Sequence, residues 1–299
     1  MYKNKGFIPS VLIPEIFKPS LDKEDYLPEL VDSLSEEGFY CALEIAPVYD
    51  SNNRKKIKQI VTTKELTLVM WMTNIIDEHQ LDLSSPDKKR REKDVNIFLE
   101  YINLATECGA HNIALISGPF HGEEKLTESM SGFIDSLITI CKEAAKNDLK
   151  VLVEPLDRSA HKKKFMGPTT ELVEIIKKVR NEQPNIAIAF DTAHAALNSE
   201  NIESALSSAF PYTEQIHLSN AVLDKENRMY GDHHMVIDNE GFLTQHRIEK
   251  FLKNANQNGY LNNGKMRISV EMRTPEDQDS HYYENIAKNI LKQGLQILK

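Results

Sequence analysis

Carboxylates and imidazoles recur at the ends of four apolar segments in the second half of the chain. The segments read KVLVEPLDR, IAIAFDTAH, QIHLSNA and ISVEMR. In order, they carry Glu154, then Asp191 with His194, then His217, then Glu271 with Arg273. In the last segment Ile268 and Val270 alternate with Ser269 and Glu271, and this period of two predicts a strand. A carboxylate near the end of a buried strand is costly unless it has a partner, so Glu271 requires one.

A divalent cation is the partner that these residue types favour. Three carboxylates gathered within about 5 Å would repel one another strongly, and a cation removes that repulsion. Two glutamates, one aspartate and one histidine form a hard ligand set that suits Mn²⁺ or Mg²⁺ and is acceptable to Co²⁺ or Zn²⁺. Singly, each residue also fits an ordinary structural role, such as a helix cap for Asp191 or a buried core position for His217. Together they predict that Glu154, Asp191, His217 and Glu271 bind one divalent ion.

The elements that must position these residues alternate between strands and helices. Apolar runs of strand length are Phe7–Ile13, Tyr40–Ala46, Leu66–Thr73, Asn112–Ser117, Lys150–Pro155, Ile186–His194, Gln215–Ser219 and Arg267–Arg273. Helical periodicity marks Asp25–Glu37, Asp94–Cys108, Leu126–Asn147, Thr170–Arg180, Ile202–Phe210, Gln245–Gln257 and Tyr283–Leu298. This alternation predicts a parallel sheet, and eight strands in 299 residues is the size of a single-domain (β/α)₈ TIM barrel over residues 1–299.

A doubly wound open sheet is the alternative fold. It predicts a glycine-rich turn after the first strand, whereas the chain has Pro14-Glu15-Ile16 there. In a barrel, the carboxyl ends of the strands carry the active site, and all four polar segments end at that rim. The long segment Asn220–Gly241, after the seventh strand, is then expected to be functional.

Composition limits the classes of partner. The net charge of −9 provides no footprint for nucleic acid or an anionic membrane. No run of about 18 uncharged apolar residues predicts a membrane span, and residues 1–10 lack a signal-peptide pattern. The sparse cysteines, Cys41, Cys108 and Cys141, show no paired spacing that would predict a disulfide scaffold. We expect a cytoplasmic protein.

The C-terminal half resembles the xylose-isomerase-like TIM-barrel superfamily, which includes sugar isomerases, ketose 3-epimerases, inosose dehydratases and endonuclease IV. Glu154-Pro155-Leu156-Asp157-Arg158 is similar to the EPLNR segment of the ketose 3-epimerases. Asp191-Thr192-Ala193-His194 matches their DxxH step, and His217 and Glu271 match the two remaining ligands. The resemblance implies that the four predicted ligands hold one divalent ion and that His194 contacts substrate.

The same resemblance implies a carbohydrate isomerase or epimerase. The ion would chelate a carbonyl and an adjacent hydroxyl, and it would stabilise the enediolate that forms. Glu154 and Glu271 would act as the acid/base pair. Further substrate contacts are expected from residues near the same rim: Arg273, Asp232, His234, Glu44 and Trp71. Barrels of this type often pair, which is consistent with a homo-oligomer.

Two departures separate the chain from the ketose 3-epimerases. Their second glutamate, six residues after the first, is replaced by Ala160, and their substrate-binding arginine has no counterpart within Ser219–Asp224. Arg228 is the nearest candidate for that arginine. The isomerase or epimerase class therefore stands without a named sugar, and a keto-sugar or inosose dehydratase on the same metal site is the nearest alternative.

An endonuclease IV-like zinc phosphodiesterase is the alternative from another class. Asp232 and His234 have the Asp-x-His spacing that this enzyme uses, with His194 as a further zinc ligand. However, the third and fourth strands do not end in the histidines that its zinc cluster needs, and His121 is displaced from the equivalent position. A barrel that binds sugar or metal without catalysis is the third alternative.

Overall fold

Eight parallel strands close into a barrel, in agreement with the predicted fold. The computed structural model describes residues 6–21, 25–238, 240–262 and 264–298. Strands β1 to β8 are Ile8–Leu12, Ala42–Ile45, Thr67–Trp71, Asn112–Leu115, Lys150–Val153, Ile186–Asp191, Thr213–Ser219 and Arg267–Glu271. Each strand pairs in parallel with its neighbours in the sequence, and β1 pairs with β8 to complete the ring. The first five residues, which belong to the segment considered for a signal peptide, lie outside the described residues.

Helices cover the outside of the barrel. Helices α1 to α12 are Ile13–Ile16, Tyr26–Glu36, Ser51–Thr63, Thr73–Glu78, Lys88–Glu100, Ile102–Cys108, Leu126–Ala145, Thr169–Arg180, Thr192–Leu197, Ile202–Ala209, Gln245–Gln257 and Ser280–Ile297. Short 3₁₀ turns occur at Lys18–Ser20, Glu123–Lys125 and Phe210–Tyr212. Within the described ranges, none of these helices is long and apolar enough to span a membrane.

Two predicted elements differ from the structure in instructive ways. The predicted helix Asp94–Cys108 is two helices that meet at Tyr101, and the first begins at Lys88 because Asp87 caps it. The second ends at Gly109, whose φ of 75° is the left-handed conformation that glycine adopts freely. The predicted strand Ile186–His194 ends at Asp191, and His194 belongs to α9. His194 therefore reaches the rim from a helix rather than from a strand.

The apolar residues form two layers. Side chains between the sheet and the helices make the large outer core, including Phe133, Phe165 and Phe190. A smaller cluster fills the interior of the barrel with residues from five strands: Leu12, Val69, Trp71, Ala114, Leu152, Ala187 and Ala189. The interior is filled by side chains, and a ligand can approach from the rim, where the strands end.

Candidate metal centre

The four predicted metal ligands converge on one point at the carboxyl rim. One ligand atom from each of Glu154, Asp191, His217 and Glu271 lies within 4.8 Å of the others, and all four residues are buried. The register explains this proximity, because Asp191 pairs with His217 and Ser219 pairs with Glu271 across adjacent strands. Glu154 directly follows the end of β5. The period-two pattern of each strand thus delivers its polar residue to the same side of the rim.

Asp191 serves two purposes with its two oxygens. It is the last residue of β6 and the N-cap of α9, where Oδ1 accepts a hydrogen bond of 2.9 Å from the backbone N–H of His194. Oδ2 is buried and has no hydrogen-bond partner among the described residues. The capping role suggested by the sequence is real, but it uses one oxygen and leaves the other for a ligand.

His217 is oriented from below by Glu44. Its Nε2 lies 2.9 Å from Oε2 of Glu44, while its Nδ1 lies 2.7 Å from Oε2 of Glu271 and 3.4 Å from Oε1 of Glu154. The contact between Nδ1 and Glu271 lacks hydrogen-bond geometry. A carboxylate that accepts the Nε2 proton fixes the ring so that Nδ1 can present its lone pair to a metal ion.

Glu44 lies beneath His217 in the interior of the barrel, and its expected contact with a sugar hydroxyl stays a prediction. It is fully buried, and its oxygens also accept hydrogen bonds from Ser10, Trp71 and Gln215. Burial alone raises the pKa of Glu44, but His217 outweighs it and the pKa is lowered. Periodicity predicted the correct face of β2, whereas the depth of Glu44 in the barrel depends on the register with its neighbours.

The four residues of the cluster bring three carboxyl groups and one imidazole together in a buried place. Their negative charges repel one another and are not balanced by an equal positive charge. Burial, reinforced by Glu271 and Glu154, raises the pKa of Asp191 to about 8. Burial lowers the pKa of His217, but Glu44 and Glu271 raise it well above its ordinary value. Both shifts favour the protonated forms of Asp191 and His217. A divalent cation would take the place of these protons, and the unpartnered Oδ2 of Asp191 and Nδ1 of His217 fit such a cation.

A small cavity opens above the cluster. Its volume is about 240 Å³, and both Glu154 and Glu271 line it. Trp71 forms part of its wall, with its ring centroid 4.8 Å from that of His217 and its Nε1–H donating to Glu44. Arg273 also lines the cavity, and its Nε donates to Oε2 of Glu15 over 2.7 Å. Trp71 and Arg273 thus lie where the sequence predicted substrate contacts.

His194 lines the cavity and is held between two aspartates. Its Nδ1 lies 3.4 Å from Oδ2 of Asp157, and its Nε2 lies 3.6 Å from Oδ2 of Asp232. Burial lowers the pKa of His194, but the carboxylates of Asp191 and Asp157 raise it to about 10. A charged imidazole at the wall of a cavity can donate a hydrogen bond to a ligand oxygen.

The loop after β7 brings Asp232 and His234 to the same place. Gly231 has a φ of 120° and leaves room for the ring of His161. A Cβ atom at position 231 would lie 2.7 Å from that ring. Asp232 is buried behind the cavity wall, and its Oδ1 accepts a hydrogen bond from the backbone N–H of His234. His234 lines the cavity, and its Nδ1 lies 2.8 Å from Oε1 of Glu271.

Several residues near the site were not singled out from the sequence. Asp157, Lys162 and Glu15 contact His194, Asp232 and Arg273 respectively. Asp157 and Lys162 belong to the loop after β5, whose path no periodicity predicts. Arg228 is exposed, so it does not replace the missing arginine of the ketose 3-epimerases. His121 pairs with Asp82, its Nε2 2.6 Å from Oδ2 of the aspartate, and takes no part in the cluster.

A model of the xylose isomerase-like TIM barrel family matches residues 29–299. The chain belongs to this family. No curated protein matches the sequence. The structure is similar to that of D-psicose 3-epimerase from Clostridium cellulolyticum H10, with a TM-score of 0.69 and 17% identity over 98% of this chain and 100% of the other.

Other family structures are similar to the same extent. The IOLI protein with a binding zinc atom gives a TM-score of 0.71 at 13% identity, over 97% of this chain and 98% of the other. The 3-keto-D-glucoside 4-epimerase from E. coli gives 0.64 at 16% identity, over 97% of this chain and 100% of the other. These low identities establish the shared fold.

Proposed function

We propose that this protein is a divalent-metal-dependent isomerase or epimerase of a small carbohydrate. The observation that carries the proposal is the convergence of Glu154, Asp191, His217 and Glu271 within 4.8 Å, beneath a cavity that both glutamates line. The solved structures with this fold include epimerases that act on sugars, which supports the same class of substrate for this chain.

The two glutamates are placed to move a proton. They follow β5 and end β8, which are separated by two strands around the barrel, so they approach the cavity from different sides. A bound divalent cation would polarise a substrate carbonyl and make the neighbouring C–H more acidic. One glutamate then removes the proton, and the other returns it to the same carbon or to the next one.

The remaining residues orient the substrate. His194 donates from its charged imidazole to a substrate oxygen, and Arg273, held by Glu15, offers its other guanidinium N–H groups. Trp71 provides an apolar surface for the C–H face of a sugar ring. Burial of these groups around the reacting carbon limits access of water to it.

The size of the cavity favours a small substrate over nucleic acid. At about 240 Å³, it lies below the range of about 300–1,000 Å³ typical of pockets for drug-sized ligands. A monosaccharide suits such a volume, whereas a phosphodiester duplex needs an open basic groove, and the chain is acidic. Manganese as the preferred ion, a cytoplasmic location and a homo-oligomer stay predictions.

Substitution of the glutamates tests the proposal. With Mn²⁺ present, the wild-type protein is expected to exchange the C–H proton of one or more ketoses with solvent D₂O, a reaction that NMR follows directly. Glu154→Gln and Glu271→Gln are expected to lower the exchange rate by about 10²–10⁴-fold, because an amide cannot accept the proton. Glu276→Gln, an exposed glutamate beyond β8, is the matched control and should retain the wild-type rate. An exchange rate that stays at the wild-type value in both Glu154→Gln and Glu271→Gln would refute the roles assigned to these two glutamates.

A further inference from the structure

A second group of side chains with metal-ligating atoms lies beside the first, and a lysine contacts two of its three members. The group consists of His194, Asp232 and His234. The Nε2 atoms of the two histidines lie 3.6 Å and 3.7 Å from Oδ2 of Asp232. That oxygen is buried and has no hydrogen-bond partner among the described residues.

These separations are close to those of a metal site. Two ligands at about 2.0–2.1 Å from Zn²⁺, arranged tetrahedrally, lie about 3.4 Å apart. Each ring also has a carboxylate oxygen near its other nitrogen: Oδ2 of Asp157 lies 3.4 Å from Nδ1 of His194, and Oε1 of Glu271 lies 2.8 Å from Nδ1 of His234, in both cases without hydrogen-bond geometry. Metal-binding histidines characteristically have such a carboxylate behind them. The group therefore has the ligand types, the spacing and the supporting contacts of a zinc site.

Lys162 places its ammonium group within this arrangement. Its Nζ lies 3.2 Å from Oδ2 of Asp232 and 3.3 Å from Nε2 of His234. The side chain is only 26% exposed, so it is held in the cavity wall rather than extended into solvent. A lysine ammonium is positively charged at neutral pH and contacts the same oxygen and nitrogen that a second cation would need.

We propose that the ammonium group of Lys162 takes the place of a second divalent cation and restricts the site to one metal ion. The inference rests on the proposed function, because it assumes that the first ion binds at Glu154, Asp191, His217 and Glu271. It adds the role of Lys162 at the group of residues that the resemblance to endonuclease IV also indicates. The ligand set of two imidazoles and one carboxylate suits Zn²⁺ or Co²⁺ better than Mg²⁺.

The charge balance gives the physical reason. Asp232 is buried, and a buried carboxylate is unfavourable unless positive charge lies close to it; Lys162 lies nearer to its Oδ2 than either imidazole does. Lysine provides that charge permanently, without dependence on metal supply. When the ammonium is removed, a metal ion can provide the charge instead.

Metal content measures the role of Lys162 directly. The full chain and its variants are saturated with Zn²⁺, freed of unbound metal, and analysed by elemental mass spectrometry, with circular dichroism to confirm folding. The wild-type chain is expected to hold one ion and Lys162→Met two. Lys164→Met is the matched control, because Lys164 also lines the cavity but pairs with Asp77 at 3.1 Å, and it should hold one. The double variant Lys162→Met/Asp232→Asn should return to one.

The outcomes separate this inference from the proposed function. One ion in both the wild type and Lys162→Met would overturn the role of Lys162 and leave the first site intact. Two ions in the wild type would also overturn it. A wild-type chain that holds no ion would overturn the proposed function together with the inference.

Discussion

At the scale of single residues, the most informative side chain is one that does not face the cavity. Glu44 accepts the Nε2–H of His217 and three further hydrogen bonds inside the barrel. It contacts neither the cavity nor the other three predicted ligands, yet it determines which nitrogen of His217 faces them. The site therefore extends one layer below its ligands, into the interior of the barrel.

Glu44→Gln is expected to weaken metal binding by about 10–100-fold, the usual cost of losing the carboxylate behind a metal-binding histidine. The measurement is a calorimetric titration of the metal-free protein with Mn²⁺. Ser10→Ala is the control, because it removes one of the hydrogen bonds to Glu44 and leaves its charge, and it should have a smaller effect. An unchanged affinity in Glu44→Gln would show that Glu44 does not orient His217.

Residue type and strand position were enough to predict that the four residues lie together, because each follows the alternation of a strand up to its end. The same reasoning could not predict Lys162. It lies in a loop after β5, and its proximity to Asp232 arises only when the loops after β5 and β7 meet above the barrel. Glu44 was predicted to lie near the site, but its position below His217 depends on strand register rather than on periodicity.

At the scale of elements, ion pairs join neighbouring helices at the exposed edges of those helices. Arg247 of α11 forms a two-pronged contact with Glu203 of α10, and Nη2 of Arg247 lies 2.7 Å from Oε2 of Glu203. The hydrogen bond from Arg247 lowers the pKa of Glu203. This pair holds together two helices that support β6 and β7, which carry Asp191 and His217.

The lowered pKa of Glu203 sets the pH dependence of this contact. A carboxylate with a depressed pKa stabilises the fold above its unfolded pKa of about 4.3, and that contribution is lost as the pH falls through the folded value. Glu203→Gln is therefore expected to lower the free energy of unfolding by about 0.5–1 kcal/mol at pH 7, after allowance for partial exposure. The difference from the wild type should disappear in acid. Urea unfolding at several pH values measures it, and a difference that persists below pH ~3 would contradict the explanation.

Helix α3 shows where pattern analysis misses an element. Its sequence, SNNRKKIKQIVTT, has few apolar residues, and only Ile57 and Val61 among them are buried. The available signal was Asp50, whose side chain accepts hydrogen bonds from the backbone N–H groups of Asn52 and Asn53. An N-cap residue without a wide apolar stripe is weak evidence for a helix in a sequence. In the barrel, the neighbouring helices pack against α3 and compensate for its narrow apolar face.

At the scale of the whole molecule, the closed barrel is what makes the site. The four predicted metal ligands come from positions 154 to 271, and the ring of parallel strands brings their ends to one rim. The fold was predictable because the alternation of strands and helices extends through the chain. Loop geometry was not predictable, since it depends on contacts between distant units such as Lys164 with Asp77.

The direct test of the account is a crystal of the wild-type protein soaked in Mn²⁺, with data collected at the manganese absorption edge. The account predicts a single strong anomalous peak at the carboxyl rim, with ligand atoms of Glu154, Asp191, His217 and Glu271 about 2.0–2.3 Å away. A crystal with no peak at this position, or a peak coordinated by other residues while these four side chains keep their ion pairs, would contradict it.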